Sequence, residues 1–262
     1  QQQTPERGYG DAAPTRFVPV ARQEIHQEIF SLQKTYRQLL WKANIVGRHQ
    51  GDIVFMKILL LGEYSNVHAT LAEGLRILGH EVTVASNGDF WKNYPRDIDW
   101  ARKPGKLGGI RLMKDIFMNL PQLKGYDIVQ IINPMFVELK AERNYKFYRW
   151  LRKHNGKVFI GAFGMDYYWV HENMERKPLR YSDFNIGDTL RENPDAIKER
   201  QDWIETPKEK LNKYIADDCN GIICGLFEYW ACYHPLFPNK TCFIPFPIKP
   251  KTGINININK TT

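Results

Sequence analysis

From Lys57 onward, short apolar runs alternate with stretches whose apolar residues recur at helical spacing. A run that is apolar at consecutive positions buries both of its faces, which in an open sheet requires helices above and below. Candidate strands lie at 57–61, 81–85, 127–132, 157–162, 221–224 and 241–245. Strand and helix in strict turn is the pattern of βαβ units, so the chain is expected to form a doubly wound α/β domain with a mostly parallel sheet.

Local signals support this reading. Between the first two runs, Asn66 is placed to cap a helix carrying Leu71, Leu75 and Leu78 on one stripe, and Gly79 to end it. Thr206-Pro207-Lys208-Glu209 combines a capping residue, proline at the first helical position and a glutamate three residues after the cap, which predicts a helix over 207–217. Asn193-Pro194 opens another helix in the same way. Residues 163–191 show no clear period, and a loop of that length inside a compact domain is expected to be a lid or binding segment.

The ends differ from this body. Residues 1–19 are polar with Pro and Gly, a composition expected to be disordered, and 21–43 carry Ile25, Ile29, Leu32, Tyr36 and Leu39 at helical spacing. That amphipathic helix is either an accessory docking element or extraneous upstream sequence. The absence of methionine before Met56 favours the second, with a domain spanning 56–249 and a frayed tail over 250–262.

With 43% hydrophobic and 25% charged residues the chain can bury a core, and it has neither a long apolar run nor a secretory signal, so the cytoplasm is the expected compartment. Cys219, Cys224, Cys232 and Cys242 match no metal or redox spacing and are expected to be reduced thiols, mostly buried. A net charge of +8 suits an anionic partner: a membrane surface, a phosphorylated substrate or nucleic acid. No nucleic-acid-binding signature accompanies it, so nucleic acid is set aside. Arg102-Lys103-Pro104-Gly105-Lys106, followed by amphipathic 110–120 with Arg111 and Lys114, is either a solvated face or a peripheral contact with anionic lipid at the inner face of the cell membrane.

Ligands of open α/β sheets sit beyond the carboxyl ends of strands, which makes Leu61-Gly62-Glu63-Tyr64-Ser65-Asn66-Val67-His68 the first candidate site. Gly62 would let a substrate approach the backbone, and the following helix N-terminus would offer N–H groups to a phosphate. The dinucleotide fingerprint G-x-G-x-x-G and a Walker lysine are both missing, and a plain strand-to-helix turn is the alternative. Past the fourth long run, Asp166 either orients or deprotonates a hydroxyl, or caps a turn or pairs with an arginine. Tyr167, Tyr168, Trp169, Tyr181 and Phe184 crowd the same segment and suit sugar packing or a core. His154 and His171 have no ligand-spaced partners.

Residues 56–249 resemble the N-terminal domain of GT-B glycosyltransferases, the family 4 group in particular. The resemblance runs through Leu71-Ala72-Glu73-Gly74-Leu75-Arg76-Ile77-Leu78-Gly79-His80-Glu81-Val82-Thr83-Val84, then Asp127-Ile128-Val129-Gln130, then Ala216-Asp217-Asp218-Cys219-Asn220-Gly221-Ile222-Ile223-Cys224, and ends in Ile244-Pro245-Phe246-Pro247-Ile248. It implies a Rossmann-like fold, the N-terminal half of a GT-B enzyme preceded here by the extra helix. It also implies transfer of a sugar from a nucleotide-sugar co-substrate to a glycan or lipid-linked acceptor, with no cofactor and no essential metal. The acceptor would contact Gly62, Glu63, Tyr64, Ser65, Asn66, His68, Asn133, Phe163, Tyr167 and Tyr168, with Asp166 in the catalytic role. Members often carry a histidine in the third strand and another by the fourth; this chain has Gln130 and Phe163-Gly164-Met165-Asp166. Pro247 and Lys249 stand where the hinge often has glycine and an acid. Donor contacts would come from a C-terminal domain expected to be missing, leaving the fragment inactive alone. A sugar-nucleotide epimerase of the same shape and a non-catalytic α/β binding module are the other readings.

Overall fold

Four of the five residues of β1 (Lys57–Leu61) are completely buried, which fits a strand covered on both faces. The computed structural model describes residues 55–248. The helix expected over 21–43 and the tail over 250–262 lie outside the described residues, as does Lys249. Strands β2 (Glu81–Ser86), β3 (Ile98–Asp99), β4 (Ile128–Ile131), β5 (Lys157–Ala162), β8 (Gly221–Cys224) and β9 (Thr241–Phe243) join β1 in one seven-stranded sheet, ordered β3-β2-β1-β4-β5-β8-β9. Every pairing is parallel; Leu61 sits in register with Ala85 on one side and Ile131 on the other. The chain is a Rossmann-like α/β domain.

The chain builds outward from β1 to β3, then returns across the sheet to β4 and builds the other way. Right-handed crossovers therefore place α1 (Val67–Ile77) and α3 (Ala141–His154) on opposite faces. The point of reversal is the gap between β1 and β4, where the loops leaving the two strands diverge.

Helix α2 (Gly108–Asn119) follows β3, and α5 (Pro194–Trp203) and α6 (Pro207–Asp218) lead into β8. Tyr145 and Tyr148 of α3 meet Tyr214 of α6 edge to face, and Arg152 of α3 pairs with Asp218 at 2.7 Å. At the start of α6 the Thr206 hydroxyl accepts the Lys208 N–H, while Glu209 reaches back to the N–H of Glu205, one residue further than a capping box requires. Among the described residues no helix is long and apolar enough to cross a membrane.

Three local expectations are corrected. Asn66 occupies the cap position of α1 but has left-handed φ of 67° and makes no side-chain cap bond; the Glu63 carboxylate does that work instead. Residues 163–191 are not an irregular lid: they contain α4 (Tyr167–Glu175) and a short hairpin, β6 (Asn185–Ile186) with β7 (Thr189–Leu190). The aromatics there are mostly core, since Tyr167, Tyr168, Trp169 and Phe184 are buried and Tyr181 alone of the five is exposed. Helix α4 packs on α7 (Phe227–Tyr233), where Tyr168 meets Tyr233 with ring centroids 4.7 Å apart. The four cysteines are free thiols and three are buried, as expected.

Candidate functional site

The loop leaving β1 turns sharply at Gly62, whose φ of 83° suits glycine. The space a Cβ would need is already filled by the Ile132 side chain and the Phe136 carbonyl, so the glycine serves the packing of β1 against the β4 loop.

Glu63 follows, almost wholly buried. Its Oε1 accepts the His68 N–H at 3.2 Å and its Oε2 the Ala69 N–H at 2.8 Å. The other two N–H groups of the first turn are also taken, Val67 by the Tyr64 carbonyl and Thr70 by the Asn66 carbonyl. The Thr70 bond is the first within the helix itself, and the three helical N–H groups before it, those of Val67, His68 and Ala69, are all satisfied, with a carboxylate already at the positive end of the dipole. The helix N-terminus expected to receive a phosphate is closed to one. Burial nevertheless pushes the Glu63 carboxyl up to about 7, against the lowering effect of these N–H donors.

His68 is completely buried beneath this loop. Its Nδ1 lies 2.7 Å from the Gly62 carbonyl and its Nε2 3.2 Å from the Gln130 amide nitrogen, so the neutral ring donates through Nδ1 and accepts from Gln130. Burial lowers its pKa to about 4, which keeps it neutral. His68 ties β1, α1 and β4 together and presents no surface to a ligand.

The loops of β1, β4 and β5 meet at Tyr64. Its hydroxyl accepts from the Asn133 amide at 2.9 Å, its ring covers Gly164, and burial drives the phenol up to about 12. Ser65 and Asn66 are exposed on the rim, where the Ser65 N–H donates to Asp89 at 2.8 Å.

These elements border a crevice of about 70 Å³, open to solvent at its mouth. Gly62, Glu63 and Tyr64 form one wall; Ser86, the last residue of β2, and Asn87 a second; Met135, Phe136, Val137 and Glu138, past β4, the third. The Asn87 amide donates to the Glu138 carboxylate at 2.9 Å across the switch point. Trp100 also lines the crevice, and its indole N–H is buried without a hydrogen-bond partner. Ser86, Asn87, Trp100 and Glu138 were not legible in the sequence as site residues, because only the strand order brings the ends of β2 and β4 beside that of β1.

The other expected site residues lie elsewhere. Phe163 lies over Gly161 and packs on Phe246 at 5.3 Å, and Tyr167 and Tyr168 belong to the α4 core. Asp166 has no exposed surface: Oδ1 caps α4 by accepting the Trp169 N–H at 2.8 Å, and Oδ2 accepts the Tyr233 hydroxyl at 2.8 Å. Asp166 thus caps α4, one of the two roles weighed for it. Among the described residues no group of three or more His, Cys, Asp or Glu side chains could hold a metal ion.

Fold and crevice together define an open, parallel α/β domain with a crevice at the point of strand reversal. No family model, curated protein or solved structure matches this chain.

Proposed function

We propose that this chain is the acceptor-side domain of a two-domain glycosyltransferase, and that a carbohydrate acceptor binds in the switch-point crevice. The observation that carries the reading is the chemistry of the crevice wall. Glu63, Glu138, Ser86 and the Asn87 amide offer acceptors and a few donors, the Trp100 indole N–H lacks a partner, and Tyr64, Trp100 and Phe136 offer aromatic surface. Such a wall suits a neutral ring bearing hydroxyls. The filled first turn of α1 and the carboxylates of Glu63 and Glu138 disfavour a phosphate, which argues for the acceptor over the nucleotide donor.

Glu63 takes the role first expected of Asp166. Each of its oxygens retains a lone pair beyond its backbone bond, and a carboxyl near pKa 7 can accept a proton from, or orient, an acceptor hydroxyl at neutral pH. The sequence resemblance to family 4 enzymes supplies the reaction class, and the crevice chemistry is consistent with it.

Saturation-transfer difference NMR of the full chain with a panel of methyl glycosides and short oligosaccharides tests the proposal. At least one glycan is expected to receive saturation through its ring protons, with the signal reduced at least tenfold in Asn87→Ala, a variant at a partly buried position that keeps the fold. Saturation of nucleotide phosphoesters with none of any glycan would overturn the acceptor assignment.

A further inference from the structure

We propose that the outer face of α2 is a docking surface for an anionic lipid membrane. The inner face of this helix is buried through Gly108, Leu112 and Ile116. Its outer face is unusually apolar: Leu107, Ile110, Phe117 and Met118 are between 56% and 70% exposed. At 3.6 residues per turn, positions 107, 110, 111, 114, 117 and 118 share one side of the helix. The four apolar side chains therefore form a single stripe along solvent, with Lys114 in its middle and Arg111 at its edge.

Charge decides what covers that stripe. Arg102, Lys103, Lys106, Arg111 and Lys114 are all exposed, and no acid lies among them before Asp115. A lipid interface accepts both features at once: apolar side chains enter the acyl boundary, while lysine and arginine stems run along the apolar surface and set their charges among anionic headgroups. A second copy of this chain fits poorly. A two-fold contact centred on the stripe would bring Lys114 and Arg111 against their own counterparts and strip them of water, with Asp115 at the margin the single acid of the helix to meet them. The surface is separate from the switch-point crevice, and the inference stands whether or not that crevice binds carbohydrate.

The test is flotation of the full chain with vesicles of phosphatidylcholine containing one-third phosphatidylglycerol, against vesicles of phosphatidylcholine alone. Binding to the anionic vesicles is expected, with little to the neutral ones. The pair Ile110→Gln and Phe117→Gln should lower the partition at least tenfold. Lys106→Gln with Lys114→Gln should lower it about 25-fold, about fivefold for each charge removed. All four positions are exposed, so melting temperatures should stay at the wild-type value, separating lost docking from lost fold. Absence of binding by the wild-type chain, or binding that both pairs leave unchanged, would overturn the proposal. So would a dimer in sedimentation that Ile110→Gln with Phe117→Gln dissociates, since that assigns the stripe to a second copy.

Discussion

The Tyr233 hydroxyl donates to the Asp166 carboxylate at 2.8 Å, joining the last residue of α7 to the cap of α4 across 67 residues of chain. The same hydroxyl accepts from the Asn212 amide at 3.2 Å, so one buried cluster ties three helices together. Asp166→Ala removes a cap and leaves the tyrosine hydroxyl without its acceptor; it should cost about 2–4 kcal/mol in urea denaturation. Tyr233→Phe should cost about 1–2 kcal/mol, and the double variant should lose less than the sum of the two. Strict additivity would show that the bond contributes nothing.

Glu63 and His68 give folding stability opposite dependences on pH. The folded Glu63 carboxyl titrates near 7 against an ordinary 4.5, so between those values the unfolded chain ionises first and stability falls as pH rises, by up to about 3 kcal/mol. Folded His68 titrates near 4 against an ordinary 6.5, so stability is full above 6.5 and is lost, by a similar amount, as pH drops toward 4. Asp166, raised by burial to about 6 from 3.8, adds to the Glu63 slope. Between 6.5 and 4.5 the gains from Glu63 and Asp166 on acidification outweigh the loss from His68, so Glu63→Gln should abolish most of the net gain and His68→Gln should enlarge it. The check is urea denaturation across that range. Variant curves parallel to wild type would refute both assignments.

Much of the sheet was legible because its strands are apolar at nearly every position. Lys57–Leu61, Lys157–Ala162 and Gly221–Cys224 fall where the apolar runs place them. Strand β3 was not, since Ile98 and Asp99 form no apolar run and are held by pairing with Ala85 and Ser86 at the sheet edge. Helix α4 escaped for a different reason. Six of its nine residues are buried, so Tyr167-Tyr168-Trp169-Val170 shows no polar face and hence no helical period. At the site, Gly62 to Tyr64 could be found because they follow the first strand. The partners facing them could not, because Asn87 and Glu138 are 51 residues apart and meet only through the strand order. Asp166 showed the right residue type past a buried strand, yet nothing local in the sequence distinguished a cap from a base.

The central claim is that a carbohydrate binds where the strand order reverses. Amide chemical-shift mapping of the full chain, titrated with the glycan that shows the strongest saturation transfer, tests it most directly. The account predicts shifts that saturate together at Glu63, Tyr64, Asn87 and Glu138 and are absent in Glu63→Gln, while the amides around Asp166 and Tyr233 stay unmoved. Shifts centred on α4 and α7, or a titration that moves no amide bordering the crevice, would contradict it.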